Sequence, residues 1–121
     1  MTEYMIAIHH PDDFEAFSES AEVSRDIDAL NDEMKAAGVI RFVGGMRPVT
    51  AAKSVRVREG RTVVSDGPYL ETKEHIGGFW VVEVASEDDA VAWGKKAAVA
   101  CRAPVEVRPF WSAAEARARK A

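Results

Sequence analysis

The sequence predicts an α+β domain in which two helices cover one face of an antiparallel sheet. The expected order is β-α-β-β-α-β, with a hairpin added before the third core strand. Three observations predict it. Alternating, β-rich runs recur at 4–8, 39–43, 78–84 and 105–110. Two longer segments carry apolar residues at helical spacing and have start and stop residues at their ends. The 121 residues suffice for one core and not for two.

Tyr4, Ile6 and Ile8 point one way along the first strand and Met5 and Ala7 the other. Both sets are apolar, so this strand is expected to be covered on both faces. His9-His10-Pro11-Asp12-Asp13 is expected to end it, since proline cannot continue a ladder. Residues 14–37 read as mostly helical, with room for a break near Phe17–Ser20. Val23, Ile27, Leu30 and Met34 form one stripe there, and Gly38 stops the helix. Val39 to Val43 reads as the second strand, ended by Gly44-Gly45.

Ser54–Arg58 and Thr62–Ser65 flank Glu59-Gly60-Arg61 and read as a hairpin, with Val55 and Val57 facing in and Arg56 and Arg58 facing water. Gly78 to Val84 is the strongest strand. Trp80, Val82 and Val84 line one face and Phe79 and Val81 the other, with Glu83 out of pattern. Ser86 caps a second helix that has three acids on its positive end. Ala90, Trp93, Gly94 and Ala97 form its inner stripe, with Lys95-Lys96 expected in its last turn. Val105 to Phe110 is the last strand, and Ser112-Ala113-Ala114-Glu115 is spaced as a capping box opening a terminal helix. Residues 1–111 therefore form the domain and 112–121 a helical tail.

Composition narrows the function classes. At 47% hydrophobic and 30% charged, the chain is neither disordered nor fibrous. No apolar run is long enough for a membrane helix, and Met1-Thr2-Glu3-Tyr4 does not open a signal peptide. One cysteine, Cys101, excludes an internal disulfide and a multi-cysteine metal site, and it reads as packing. A soluble, cytoplasmic protein is expected, with no membrane partner.

The net charge of −4 is uneven: residues 1–33 carry ten acids and one base. An acidic first third argues against nucleic acid as a partner. No phosphate-binding or dinucleotide motif appears, and three histidines at no ligand spacing predict no metal and no other cofactor.

The element order is that of a ferredoxin-like plan. Its second sheet face still carries apolar side chains, among them Met5 and Ala7 or their alternates on the first strand, plus one of Phe79 and Trp80. Exposing that face is costly, so a homodimer packed sheet on sheet is expected.

Ser65-Asp66-Gly67-Pro68-Tyr69-Leu70-Glu71-Thr72-Lys73-Glu74-His75-Ile76-Gly77-Gly78-Phe79-Trp80 resembles the DGPF signature of the YCII-related proteins, with Tyr69 in place of the phenylalanine. The Gly44-Gly45-Met46-Arg47-Pro48 loop, Val55–Arg58 with Gly60-Arg61, and Val105–Pro109 are also similar to that family. The resemblance spans about residues 2–111. It implies a ferredoxin-like fold paired into a dimeric α+β barrel. A histidine and an aspartate are the proposed catalytic pair of the wider group, and the aspartate would match Asp66. The histidine belongs in the first helix, and positions 21–37 hold none. Some members accompany sigma factors of the extracytoplasmic-function type, which implies a regulatory partner of that kind.

Asp66 is the first site candidate, either as a turn residue that accepts backbone N–H bonds or as a general acid or base. His9 or its neighbour His10 is a candidate to stand in for the missing helix histidine, and His75, in the same loop as Asp66, is the other. Arg47, Tyr69, Glu71, Lys73 and Trp80 are the substrate-binding candidates: Tyr69, Glu71 and Lys73 in the run after Asp66, Arg47 after Gly44-Gly45 and Trp80 on the strongest strand. Two functions follow. One is a cofactor-free enzyme of the lyase or isomerase type that acts on a small organic molecule through Asp66. The other is a dimer that binds a small ligand or a regulatory partner without turnover.

Overall fold

The computed structural model describes residues 1–11, 20–69, 72 and 74–120. Its core sheet has four antiparallel strands: β1 (Thr2–Pro11), β2 (Ile40–Gly45), β5 (Glu74–Val84) and β6 (Val105–Pro109), in the order β2-β5-β1-β6. Between β2 and β5 lie β3 (Lys53–Arg58) and β4 (Arg61–Asp66), a separate two-stranded sheet. Helices α1 (Ala21–Ala36) and α2 (Glu87–Cys101) pack on one face of the core sheet, and α3 (Ala113–Lys120) follows β6. This α+β arrangement is compatible with a ferredoxin-like plan. The part of the first predicted helix at 14–19, and most of its suggested break, lie outside the described residues.

Trp80, Ile6, Val82 and Met34 are the largest fully buried side chains. The β1–β5 register sets Ile6 opposite Trp80 and Tyr4 opposite Val82, so the helix-side core is continuous across the two central strands. Leu30 and Met34 of α1 and Ala90 and Ala97 of α2 close over them. The buried indole donates Nε1–H to Asn31 Oδ1 at 2.7 Å, which satisfies its one polar atom. The small inner residues of α2 let it lie close: a Cβ on Gly94 would meet Val107 Cγ2 at 2.6 Å.

Helix ends follow side-chain chemistry. Ser20 accepts from Val23 N–H and starts α1, and Ser86 accepts from Asp89 N–H and starts α2. Helix α2 runs on to Cys101, so Lys95 and Lys96 lie in its middle and not in its last turn. Lys96 pairs with Glu33 and lies over the Trp93 ring. Arg102, just past α2, pairs with Asp26 at 2.8 Å and reaches Glu22 at 3.6 Å, linking the two helices. The capping box of α3 forms as spaced: Ser112 N–H donates to Glu115, and Glu115 N–H donates to the Ser112 hydroxyl. The bond from the Ser112 backbone, then that with its side chain, holds the Glu115 carboxyl below the ordinary range.

Three local expectations are corrected. First, β1 does not stop before His9; it pairs with β5 through His10 and Pro11, because β5 itself begins at Glu74. Pro11 is tolerated as the last residue of the strand. Second, β2 includes Gly44 and Gly45. Third, Val55 and Val57 do not face in. Val57 is 73% exposed, and Val55 and Val64 are exposed beside it. The buried residue of the hairpin is Ser54, on the opposite face of β3.

The far face of the core sheet carries Met5 opposite Val81 and Ala7 opposite Phe79, with Phe42 stacked 5.3 Å from Phe79. Glu83, the charge out of pattern, lies directly across from Glu3, and Arg41 relieves that like-charge contact at 2.6 Å.

Close approach of β2 to β5 depends on Gly78. A Cβ there would lie 2.8 Å from the Gly44 carbonyl oxygen and 3.1 Å from Gly45 Cα, both backbone atoms that cannot swing away. Gly78→Ala is expected to push β2 off β5 and lower stability by about 1–3 kcal/mol in denaturant unfolding. A change within about 0.5 kcal/mol would refute this account of the β2–β5 contact.

Candidate functional site

The three histidines of the chain gather at one end of the β1–β5 pair. Past Ile8 the register shifts by one residue: His9 lies opposite Ile76 and His10 opposite His75, leaving Gly77 as the extra residue of a β-bulge. The His10 ring occupies the space a side chain at 77 would need, since a Cβ there would come within 2.2 Å of His10 Cδ2. The bulge is pinned from the other side by Met46 N–H, which donates to Gly77 O at 2.8 Å. That bond brings the loop holding Arg47 to the same end of the sheet. Arg47 itself is exposed.

His75 is half-buried, and its Nε2 lies 3.3 Å from Thr72 Oγ1. The Thr72 hydroxyl donates to Glu74 O at 2.5 Å. Its single proton is used there, so toward His75 the oxygen accepts, and Nε2 carries the imidazole proton. His9 donates its backbone N–H to Pro104 O, which joins this end of the sheet to the start of β6.

Asp66 ends β4, away from these histidines in the ladder. The register of the hairpin sets it opposite Lys53, and the two side chains form an ion pair. Its side chain is 87% exposed. The turn that follows is held by other groups: the Ser54 hydroxyl donates to Gly67 O, and Gly67 N–H donates to Ala52 O, each at 2.8 Å. The carboxylate therefore serves the hairpin through Lys53 and not through the backbone bonds expected of a turn aspartate.

The remaining candidates separate. Tyr69 is exposed beside the turn. Trp80 is 1% exposed within the helix-side core, so its indole does not look onto the open face; Phe79 does. Glu71 and Lys73 lie outside the described residues. An open depression of about 390 Å³ lies at the other end of the sheet, bordered by Met1, Val39, Val84, Trp93 and Lys96 and by none of the candidates. Among the described residues, no group of three or more His, Cys, Asp or Glu side chains is placed to hold a metal ion. No helix there is long and apolar enough to cross a membrane.

Sequence reasoning left His9 and His10 as alternatives and passed over Thr72 and Gly77. The signal for Gly77 was present: adjacent glycines at 77–78, inside a strand pattern, mark a bulge or a close approach. His10 and His75 stand 65 positions apart, and only the strand register joins them.

Comparison with known proteins agrees with this frame. A protein of Rhizobium meliloti (strain 1021), named only as uncharacterized, is 37% identical over 94 residues, covering 76% of each chain. The YCII-related domain matches residues 2–113, from the first residue of β1 to the start of α3. The chain belongs to the YCII-related family.

Proposed function

We propose that this chain works as a homodimer holding a small organic molecule in a cleft that the second copy completes. One observation carries the reading: the sheet face away from the helices is apolar and, among the described residues, only partly covered, with Ala7 buried and Met5, Phe79 and Val81 half-buried. Met5, Phe79 and Val81 lie on it, and Phe42 is 52% exposed at its edge. Leaving such a face in water costs about 25 cal/mol per Å², and a second sheet laid across it removes that cost. The pairing is the dimeric α+β barrel. Alternation along β1 puts His9 on the same face as Met5 and Ala7, so the histidine end would lie at the mouth of the cleft. Membership of the DGPF subgroup rests on the run Asp66-Gly67-Pro68-Tyr69 and belongs to this reading.

Binding without turnover is favoured, because the Asp66 carboxylate is already engaged by Lys53 and the histidines are on other strands. A cofactor-free lyase or isomerase is the second reading. It draws on the exposure of that carboxylate, which leaves it open to a molecule docked over the hairpin. A sigma-factor partner rests on resemblance alone. A cytoplasmic location fits the reading and is part of the proposal.

The test is a thermal-shift screen of small metabolites on the wild type, Asp66→Ala and Phe42→Asp. A bound compound is expected to raise the melting temperature of the wild type and to leave Phe42→Asp, whose open face now carries a charge, unshifted. Equal shifts in both refute the shared cleft. Asp66→Ala alone is expected to change stability by no more than about 1 kcal/mol, the range of an exposed ion pair. Turnover of the compound by wild type and not by Asp66→Ala selects the catalytic reading.

A further inference from the structure

We propose that the β3–β4 hairpin is an arm that clasps a second copy of this chain, with its valine face in the contact between copies. The inference rests on the dimer proposed above and adds a second surface to it. Beyond its base, where Ser54 is buried, the hairpin stands apart: its strands form their own sheet, and the described core strands and helices make no extended contact with it. A two-stranded sheet is marginal in water unless an apolar face of it is packed. Here Val55, Val57 and Val64 are 62%, 73% and 64% exposed. The register sets Val55 opposite Val64 and Val57 opposite Thr62, so these four share one face with no charge between them.

Charge identifies the occupant. Residues 53–66 hold four bases and two acids, whereas residues 1–33 hold ten acids and one base. On the arm's other face Arg58 lies opposite Arg61, with Arg56 two residues back on β3. None of the three forms an ion pair among the described residues. Opposed like charges are destabilising, and an acidic surface brought alongside relieves them. Asp28 and Asp32, about one turn apart on α1, are exposed and likewise form no ion pair among the described residues. The chain thus carries both halves of a complementary pair and does not join them within itself. A two-fold pair of copies joins them twice, once for each arm. Reach is sufficient: six residues per strand make an arm about 20 Å long, against the roughly 10 Å between packed sheets. The valines then cover apolar surface at the contact, and the arginines form its charged rim.

The experiment is NMR of a wild-type mixture in which half the chains carry 13C-labelled valine methyls, filtered to pass only contacts between copies. Contacts from the Val55, Val57 and Val64 methyls to the unlabelled copy are expected, together with contacts from Val81 on the open sheet face. Contacts from Val81 alone keep the dimer and overturn the arm, leaving the valine face to a different protein. No contact from any valine overturns the arm and the dimer together. Sedimentation equilibrium gives a second readout. Val57 is exposed in the single chain, so Val57→Asp leaves the fold of one copy intact. It is expected to raise the dimer dissociation constant at least about tenfold. Arg58→Glu combined with Arg61→Glu is expected to raise it by about as much at low salt. An unchanged constant in either variant overturns the arm and leaves the sheet-on-sheet dimer standing.

Discussion

The pairing of β1 with β5 is the constraint on which the rest of the molecule depends. These are the two inner strands of the core sheet, and both are apolar on both faces. On one side they set Ile6 against Trp80 and Tyr4 against Val82, and the helices cover that layer. On the other side the same register sets Met5 against Val81 and Ala7 against Phe79, and nothing among the described residues of α1 or α2 reaches it. A sheet built this way is half finished. The bulge at Gly77 belongs to the same pairing, because the extra residue is what brings His10 opposite His75 and lets β1 continue to Pro11.

The core was legible in the sequence because its physics is periodic. The stripe ending in Leu30 and Met34, the alternation around Trp80 and the small residues of α2 each name a buried face, and each is buried. Periodicity names residues that share a face; it does not say whether that face is covered. Val55, Val57 and Val64 do share a face of the hairpin, and it is the exposed one. Trp80 shows the same limit on the other side, since alternation left it or Phe79 for the open face and helix packing with Asn31 decided which. The strand ends were misplaced for a related reason. A proline or a glycine pair marks a weak point in a ladder, but a partner strand long enough to pair carries it through.

The candidate site was half legible. Asp66 stands out within its motif, but its partner Lys53 is set by the hairpin register, thirteen positions earlier in the chain. The histidines stand out by rarity, yet spacing along the chain separates the two that oppose each other and joins the two that point apart. Chemistry that depends on cross-strand register is hidden from a linear reading until the bulges are known. The exposed side of the hairpin and the open side of the sheet share a further property: both are apolar surfaces that the described residues leave wholly or partly in water.

The proposed dimer gives these observations one cause, since sheet-on-sheet packing would finish the half-built core and enclose the histidine end. Sedimentation equilibrium of the full chain tests this most directly. The account predicts a particle of twice the 13.2 kDa chain mass, which falls toward the single-chain mass when Val81, at the centre of the open face, is replaced by aspartate. A wild-type particle of single-chain mass at micromolar and higher concentrations would contradict it.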